Sequence, residues 1–304
     1  MVLITGICGR LGQLLARQLH RRTEVIGVDR RPFGACPKDV VHHAIDLRRK
    51  RTRDLFRKGN IKAVVHLGVM HNPRLSDAEH HAWNIVAFQK LLDCVAQYQV
   101  PKLVVLSSAN VYGPHPDNPQ FLTEEAPLLG AQSFGGMRDL VELDMLAQSF
   151  FWRHPGTSTV ILRPCHILGR VRNAASNYLR LQRPVMVLGF DPMIQVIHER
   201  DIITAFERAL RPDVRGIYNL RGPGEMPLSH ALSLLGRRPQ HMPPLFSRSV
   251  LERLWKWHLL SFPPPELEHL RFACMVDDSR ARGALPFAPH YDFVETLRAV
   301  EALR

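Results

Sequence analysis

The stretch that decides the fold is Val2-Leu3-Ile4-Thr5-Gly6-Ile7-Cys8-Gly9-Arg10-Leu11-Gly12. A short apolar run, buried on both faces if it is a strand, breaks at a glycine turn. Leu11, Leu14, Leu15 and Leu19 then recur on one side of a helix over residues 11–20. A strand that enters a helix through glycines presents free helix N–H groups to an anion. Gly6 permits the tight turn, Gly9 lets the backbone approach a pyrophosphate, and Gly12 lets the helix lie close on the strand. A second strand over residues 24–29 ends on Asp29, seventeen residues beyond Gly12. A carboxylate there accepts both ribose hydroxyls of an adenosine and repels a 2′-phosphate. The expected ligand is therefore NAD, held at the N-terminus of the first helix. Arg30 and Arg31 follow at once and would accommodate the extra phosphate of NADP, which stands as the less favoured cofactor.

Outward from this loop the pattern repeats. Apolar runs at residues 63–67, 103–107 and 159–162 alternate with helical stretches at 83–97 and 140–150. Strands apolar on both faces and separated by helices imply an α/β fold, a Rossmann-type doubly wound parallel sheet. The nucleotide-binding domain is expected over residues 1–165. A smaller C-terminal substrate subdomain is expected over 166–304, interleaved with the sheet edge. Prolines become frequent there, and strand-like pieces fall at 185–188, 195–197 and 217–220.

The chain has 304 residues, 45% of them hydrophobic, enough for a large core. Its five cysteines form no C-x-x-C pair, so neither a disulfide framework nor a thiolate zinc site is indicated, and a reducing cytoplasmic setting is expected. Neither a signal peptide nor an apolar run of about 18 residues is seen, so no spanning helix is expected. The net charge of +12 favours anionic partners. The densest basic run, residues 46–58, reads as a solvated helix face with Leu47, Leu55 and Phe56 turned inward. No aromatic platform for a nucleic acid accompanies it. The stretch 249–260, with two tryptophans and several cations, reads as a core helix of the smaller subdomain rather than a membrane-surface helix.

Further motifs fall in a fixed order. They are the loop spacing G-x-x-G-x-x-G, Asp46-Leu47, His66-Leu67-Gly68, Ser107-Ser108-Ala109-Asn110-Val111-Tyr112-Gly113, Leu162-Arg163-Pro164 through Gly169, and Ile197-His198 through Asp201. Together they resemble the short-chain dehydrogenase/reductase superfamily, and within it the extended branch, the NAD-dependent epimerase/dehydratase family. The resemblance implies an adenine contact at Asp46-Leu47, a cofactor-flanking turn at Leu67-Gly68 and a catalytic serine at Ser108. With the glycine loop it places the cofactor on Gly6, Gly9, Arg10, Leu11, Gly12, Asp29, Arg30, Asp46, Leu47, Leu67, Gly68, Arg138 and Pro164, with no metal.

The chain departs from that family where the chemistry is done. The family's Tyr-x-x-x-Lys pair aligns with Phe134 and Arg138. Phenylalanine transfers no proton, and arginine holds a ribose but is effectively never deprotonated. Tyr112 belongs to the V-Y-G turn, whose aromatic in the family more often lines the substrate site than carries the proton; His115 and His166 are the other candidate proton carriers, and Ser108, Arg138 and His166 form the expected catalytic set. Ile194 stands where nucleotide-sugar enzymes often carry a diphosphate-gripping arginine. Arg170, Arg172, Arg180 and Arg183 are the alternative sources of that charge. The expected function is hydride transfer on a sugar nucleotide or another bulky hydroxyl compound by an atypical active site. The alternatives are a non-catalytic NAD-binding sensor and a basic nucleic-acid-associated protein. A homodimer is compatible with either of the first two.

Overall fold

The computed structural model describes residues 1–34, 36–58, 60–70, 75–132, 135–243 and 268–303. Strand β1 (Val2–Thr5) leads into helix α1 (Arg10–Leu19), followed by β2 (Val25–Asp29), β3 (Val41–Ala44), α2 (Arg51–Lys58) and β4 (Ala63–His66). Then come α3 (Asp77–His81), α4 (Ala87–Gln97), β5 (Lys102–Leu106), α5 (Gly135–Arg153) and β6 (Ser158–Pro164). The second half contributes β7 (His166–Leu168), α6 (Ala174–Arg180), β8 (Val185–Val187), β9 (Met193–Ile194), β10 (Val196–His198), α7 (Glu199–Ala209) and β11 (Gly216–Leu220). It continues through β12 (Met226–Pro227), α8 (Leu228–Leu234) and β13 (Gln240–Met242) to short helices at Ser279–Ala284 and Phe293–Arg298.

Seven strands form one parallel sheet in the order β11-β6-β5-β4-β1-β2-β3. Because side chains alternate across a sheet, one set of strand residues (Ile4, Val65, Val104, Val160) enters the core on one face. The other set (Leu3, Val64, Leu103, Ile161) enters the core on the opposite face. A third cluster, around Leu168, Leu179, Val196 and Leu228, belongs to the C-terminal region. This is the doubly wound α/β architecture that the alternation of runs implies. The basic run forms α2 with Thr52 and Phe56 buried, Leu47 and Leu55 packed against the core, and its cations outward.

Three local expectations are corrected. Residues 217–220, assigned to the smaller subdomain, form the outer strand of the main sheet, where Ile217 pairs with Ile161. The chain reaches that edge from β10 through α7, a helical crossover of the kind parallel neighbours require. β3 was not foreseen, because an edge strand that reads exposed, half-buried, half-buried, exposed carries no apolar run. The helix expected over 83–97 begins with a π turn, Ala82–Val86, that places buried Asn84 inside the helix rather than at its cap. There its amide accepts from Met70 N at 2.7 Å and donates to Met70 O at 3.2 Å, holding the chain that leaves β4. The stretch 249–260 lies outside the described residues.

A buried ion pair joins the sheet to α5. Arg163 on β6 donates to Asp144 on α5 through Nε at 2.9 Å and Nη2 at 2.6 Å, with 1% and 0% of their side chains exposed. Asp144 also accepts from Ser107 Oγ at 2.5 Å and from Gln148 Nε2 at 2.8 Å. The third arm of Arg163 donates to the Tyr112 hydroxyl at 2.8 Å, which donates in turn to Asn219 on β11 at 2.8 Å. Removing one partner of such a pair leaves the other charge buried and unpaired. Asp144→Ala is expected to cost about 3–5 kcal/mol. The double replacement Asp144→Leu with Arg163→Met should cost less than the single change. Urea unfolding measures both, and an Asp144→Ala loss below about 1 kcal/mol, the scale of an exposed pair, contradicts the role given to it.

Candidate functional site

The first feature of the site is a backbone that only glycine can follow. Gly6 has φ of +71°, and a Cβ there would lie 2.8 Å from Gly68 N and Cα and from Leu67 C. The glycine loop thus crosses directly over the turn that leaves β4. A Cβ on Gly12 would lie 2.5 Å from Gly6 O, so α1 packs against the loop as closely as its backbone allows. Gly9 is the N-cap of α1, extended and without a side-chain cap, so the cap residue leaves the first N–H groups of the helix unanswered. An uncapped N-terminus beside a cradle that a side chain would fill suits a pyrophosphate. Leu11 packs half-buried beside the core. Arg10 turns away to α7, where Nε and Nη2 donate to Glu199 Oε1 at 3.0 and 2.5 Å. Only 4% of the Glu199 side chain is exposed.

Asp29 stands at the end of β2, beside the loop. Its Oδ2 accepts from Cys8 N at 3.2 Å and Arg31 Nη2 at 2.9 Å, and its Oδ1 from Arg31 N at 3.0 Å and Nε at 3.1 Å. Burial pushes this carboxyl up, but the Arg31 bonds outweigh it and hold the group below the usual carboxylate range. Asp46 is paired with Arg48 in the same manner. The Arg30 and Arg48 guanidiniums lie 3.6 and 3.9 Å from the centre of the Trp83 ring. The structure therefore gathers Asp29, Arg30, Asp46 and the loop along one edge. Trp83 belongs to that edge and was read only as part of a helix. A lone tryptophan at a helix start carries no signal of the two cations that will cover it.

Beneath the loop, His66 Nδ1 and Thr5 Oγ1 lie 2.7 Å apart, and the imidazole stacks on Phe88. Burial pushes this histidine down to about 3. Leu67 and Gly68 follow it, half-buried where Gly6 crosses.

The catalytic candidates sit on different elements. Ser108 follows β5, and its Oγ accepts from Asn110 N at 3.2 Å, which leaves the hydroxyl proton to donate elsewhere. Pro164 is buried at the end of β6, and Arg138 is exposed on α5. Phe134 lies outside the described residues. Tyr112 is 1% exposed and held by Arg163 and Asn219; burial pushes its phenol up to about 12. It does not line the cavity described below, contrary to the expectation that this aromatic borders the substrate. His115 is half-buried away from the cavity described next.

That cavity, about 750 Å³ including its open mouth, is bordered by Asn110 and Met137 on one side and His166 on another. His269, which nothing in the sequence marked, lines it too, its ring 6.1 Å from that of His166. Burial pushes His166 down to about 4. Burial and the neighbouring His166 push His269 down to about 3. Away from these elements, His81, Asp139 and Glu142 bring ligand atoms within 4.8 Å of one another where α3 meets α5. The imidazole of His81 already meets Asp139 at 3.5 Å there.

Comparison with known proteins follows this geometry. The model of the NAD dependent epimerase/dehydratase family matches residues 2–220. The chain is 27% identical over 310 residues to an uncharacterized protein of Mycobacterium tuberculosis, covering 97% of this chain and 81% of that one. A UDP-glucose 4-epimerase of Dictyostelium discoideum is 30% identical over 109 residues, 34% of this chain and 31% of its own. Among solved structures, MoeE5 in complex with UDP-glucuronic acid and NAD superposes with a TM-score of 0.78 at 21% identity, over 100% of this chain and 98% of that one. The UDP-glucuronic acid 4-epimerase of Bacillus cereus, in complex with UDP-glucuronic acid and NAD, gives 0.78 at 16% identity, over 100% and 99%. At these identities the structural likeness speaks to the fold.

Two measurements check the site. Tyr112→Phe removes bonds to Arg163 and Asn219 in a buried network and is expected to cost about 1–3 kcal/mol of stability. It should leave nucleotide affinity unchanged, and an unchanged stability with lost activity contradicts the structural role. The second concerns pH. An unfolded His66 takes its proton as pH falls through 6.5, whereas the folded one does so only near 3. The unfolded state therefore binds more protons over that window, and stability falls with pH by up to about 1.4 kcal/mol per unit for this one group. Urea midpoints at about pH 7 and about pH 5 should differ in that direction, and a His66→Gln variant should lose part of the slope.

Proposed function

The chain belongs to the NAD dependent epimerase/dehydratase family, and on that premise we propose that it binds NAD along the Gly6–Asp29 edge and transfers hydride reversibly at the hydroxyl-bearing carbon of a bulky compound. The observation that carries this reading is the uncapped N-terminus of α1 beside Gly9, with the Asp29 carboxylate closing the same edge. The pyrophosphate falls to the α1 N–H groups and the adenosine ribose to Asp29, once Arg31 gives up the carboxylate. Bound NAD supplies the hydride acceptor. Structural neighbours of this fold have been solved with NAD and with UDP-glucose or UDP-glucuronic acid.

Among the chain's own residues, the Ser108 hydroxyl hydrogen-bonds the reacting oxygen and Arg138 holds the nicotinamide ribose. As hydride leaves the carbon, the hydroxyl proton passes to an imidazole nitrogen of His166 and on to water at the cavity mouth. An imidazole pushed down to about 4 is free base at neutral pH but a weak one. Turnover by this route is therefore slow. One observation favours a second reading, a sensor that binds NAD without turning it over. The phenol of Tyr112 is committed to the Arg163 network, and that of Tyr178, on the cavity wall, donates to Val185 O at 2.9 Å.

Calorimetric titration separates the parts of the proposal. NAD should bind more tightly than NADP, and Asp29→Ala should weaken NAD by about 1–3 kcal/mol, as expected for lost bonds to a charged group. Tighter binding of NADP overturns the cofactor assignment. NADH formation with a panel of secondary alcohols, lost in His166→Phe but with NAD still bound, supports the enzyme. No NADH with any alcohol, with NAD demonstrably bound, leaves the sensor.

A further inference from the structure

The cavity beside Asn110 has a chemical character of its own. Of the described residues that line it, none is Lys, Arg, Asp or Glu. Its walls are Ala174, Ala175, Leu179, Ile194, Leu228 and Leu270, and its polar groups, Asn110, His166 and His269, are uncharged at neutral pH. Ile194 on β9, four residues before His198, stands at the wall itself. The arginines nearby do not replace it. Arg180 spends its guanidinium on the carbonyls of Gly169, Val171 and Val300, at 2.8, 3.0 and 3.1 Å. Arg170, Arg172 and Arg183 are exposed and line no part of the cavity.

A nucleoside diphosphate brings two negative charges that must leave water on entry. With no cation among the described residues that line the cavity, that desolvation goes uncompensated there. A neutral molecule with an alicyclic body gains from the same walls, and its one hydroxyl or carbonyl can meet one of the few polar groups among them. Resting on the oxidoreductase reading above, we propose that the substrate class of this cavity is a neutral alicyclic secondary alcohol or its ketone, not a nucleotide-linked sugar. Oxidation of the alcohol moves hydride from the carbinol carbon to NAD and releases the hydroxyl proton, so the ketone and NADH are the products. Small side chains at Ala174 and Ala175 leave width for a fused ring, and replacing Ile194 restores the charge that a diphosphate needs.

The test is calorimetry on the NAD-loaded protein with decahydro-2-naphthol, UDP and UDP-glucose as probes. Decahydro-2-naphthol is expected to bind at least about tenfold more tightly than UDP-glucose, the preference a desolvated, unpaired anion imposes. Ala175→Leu narrows the cavity and should weaken the alcohol by about tenfold or more. Ile194→Arg should weaken the alcohol and tighten UDP and UDP-glucose by about tenfold, the scale of a bond to a charged group. Thermal melts confirm that both variants fold. UDP-glucose binding more tightly than the alcohol in wild type, no binding of the alcohol, or indifference of the alcohol to Ala175→Leu each overturn the assignment. Failure of NAD to bind overturns the oxidoreductase reading instead, and the alcohol titration repeated without NAD still reads the cavity.

Discussion

Arg163 and Asp144 meet where water is almost excluded, and an ion pair there forfeits the hydration of both charges. Such a pair persists only if the remaining donors and acceptors are occupied, and here they are. Ser107, Gln148, Tyr112 and, through it, Asn219 complete a network that touches β5, α5, β6 and β11. The network fixes the end of β5 one residue before Ser108, so the candidate serine is presented by a rigid support. It also takes Tyr112 out of the chemistry. A phenol held by a guanidinium and an amide, away from solvent, has no proton to exchange with a substrate.

The cofactor edge is built on the opposite principle. Two of its cations pair with acids, Arg31 with Asp29 and Arg48 with Asp46, and the Arg30 and Arg48 guanidiniums both lie over the Trp83 ring. Arg31 is 63% exposed, whereas only 9% of the Asp29 side chain is, so the carboxylate depends on whatever donor faces it. A donor that replaced the exposed guanidinium would have to satisfy the same carboxylate, whereas both partners of the Asp144 pair are buried. Arg10 shows the same economy in a drier setting, tying the glycine loop to the nearly buried Glu199.

Periodic burial was legible in the sequence. Apolar strands separated by amphipathic helices implied the sheet, and the glycine spacing implied the tight loop between β1 and α1, because both depend on local sterics and on alternation. What escaped depended on distant partners. β3 is an exposed edge strand with no apolar run to announce it, and residues 217–220 join the main sheet through a pairing with β6 that no local pattern encodes. Asn84 falls in a stretch legible only as helix, and its partner is the backbone of Met70, fourteen residues away. Trp83, Glu199 and His269 acquire their meaning only from residues brought beside them. The absence of charge around the cavity was legible at one position, Ile194, and became a property of the whole site only when the walls were assembled.

The most direct measurement is a crystal structure of the protein with NAD. The pyrophosphate should lie on the α1 N–H groups beside Gly9, and the Asp29 carboxylate should accept both adenosine ribose hydroxyls, with the Arg31 guanidinium swung away from it. A cofactor bound elsewhere, or an Asp29 still held at both oxygens by Arg31 while NAD is present, would contradict the assignment of this edge.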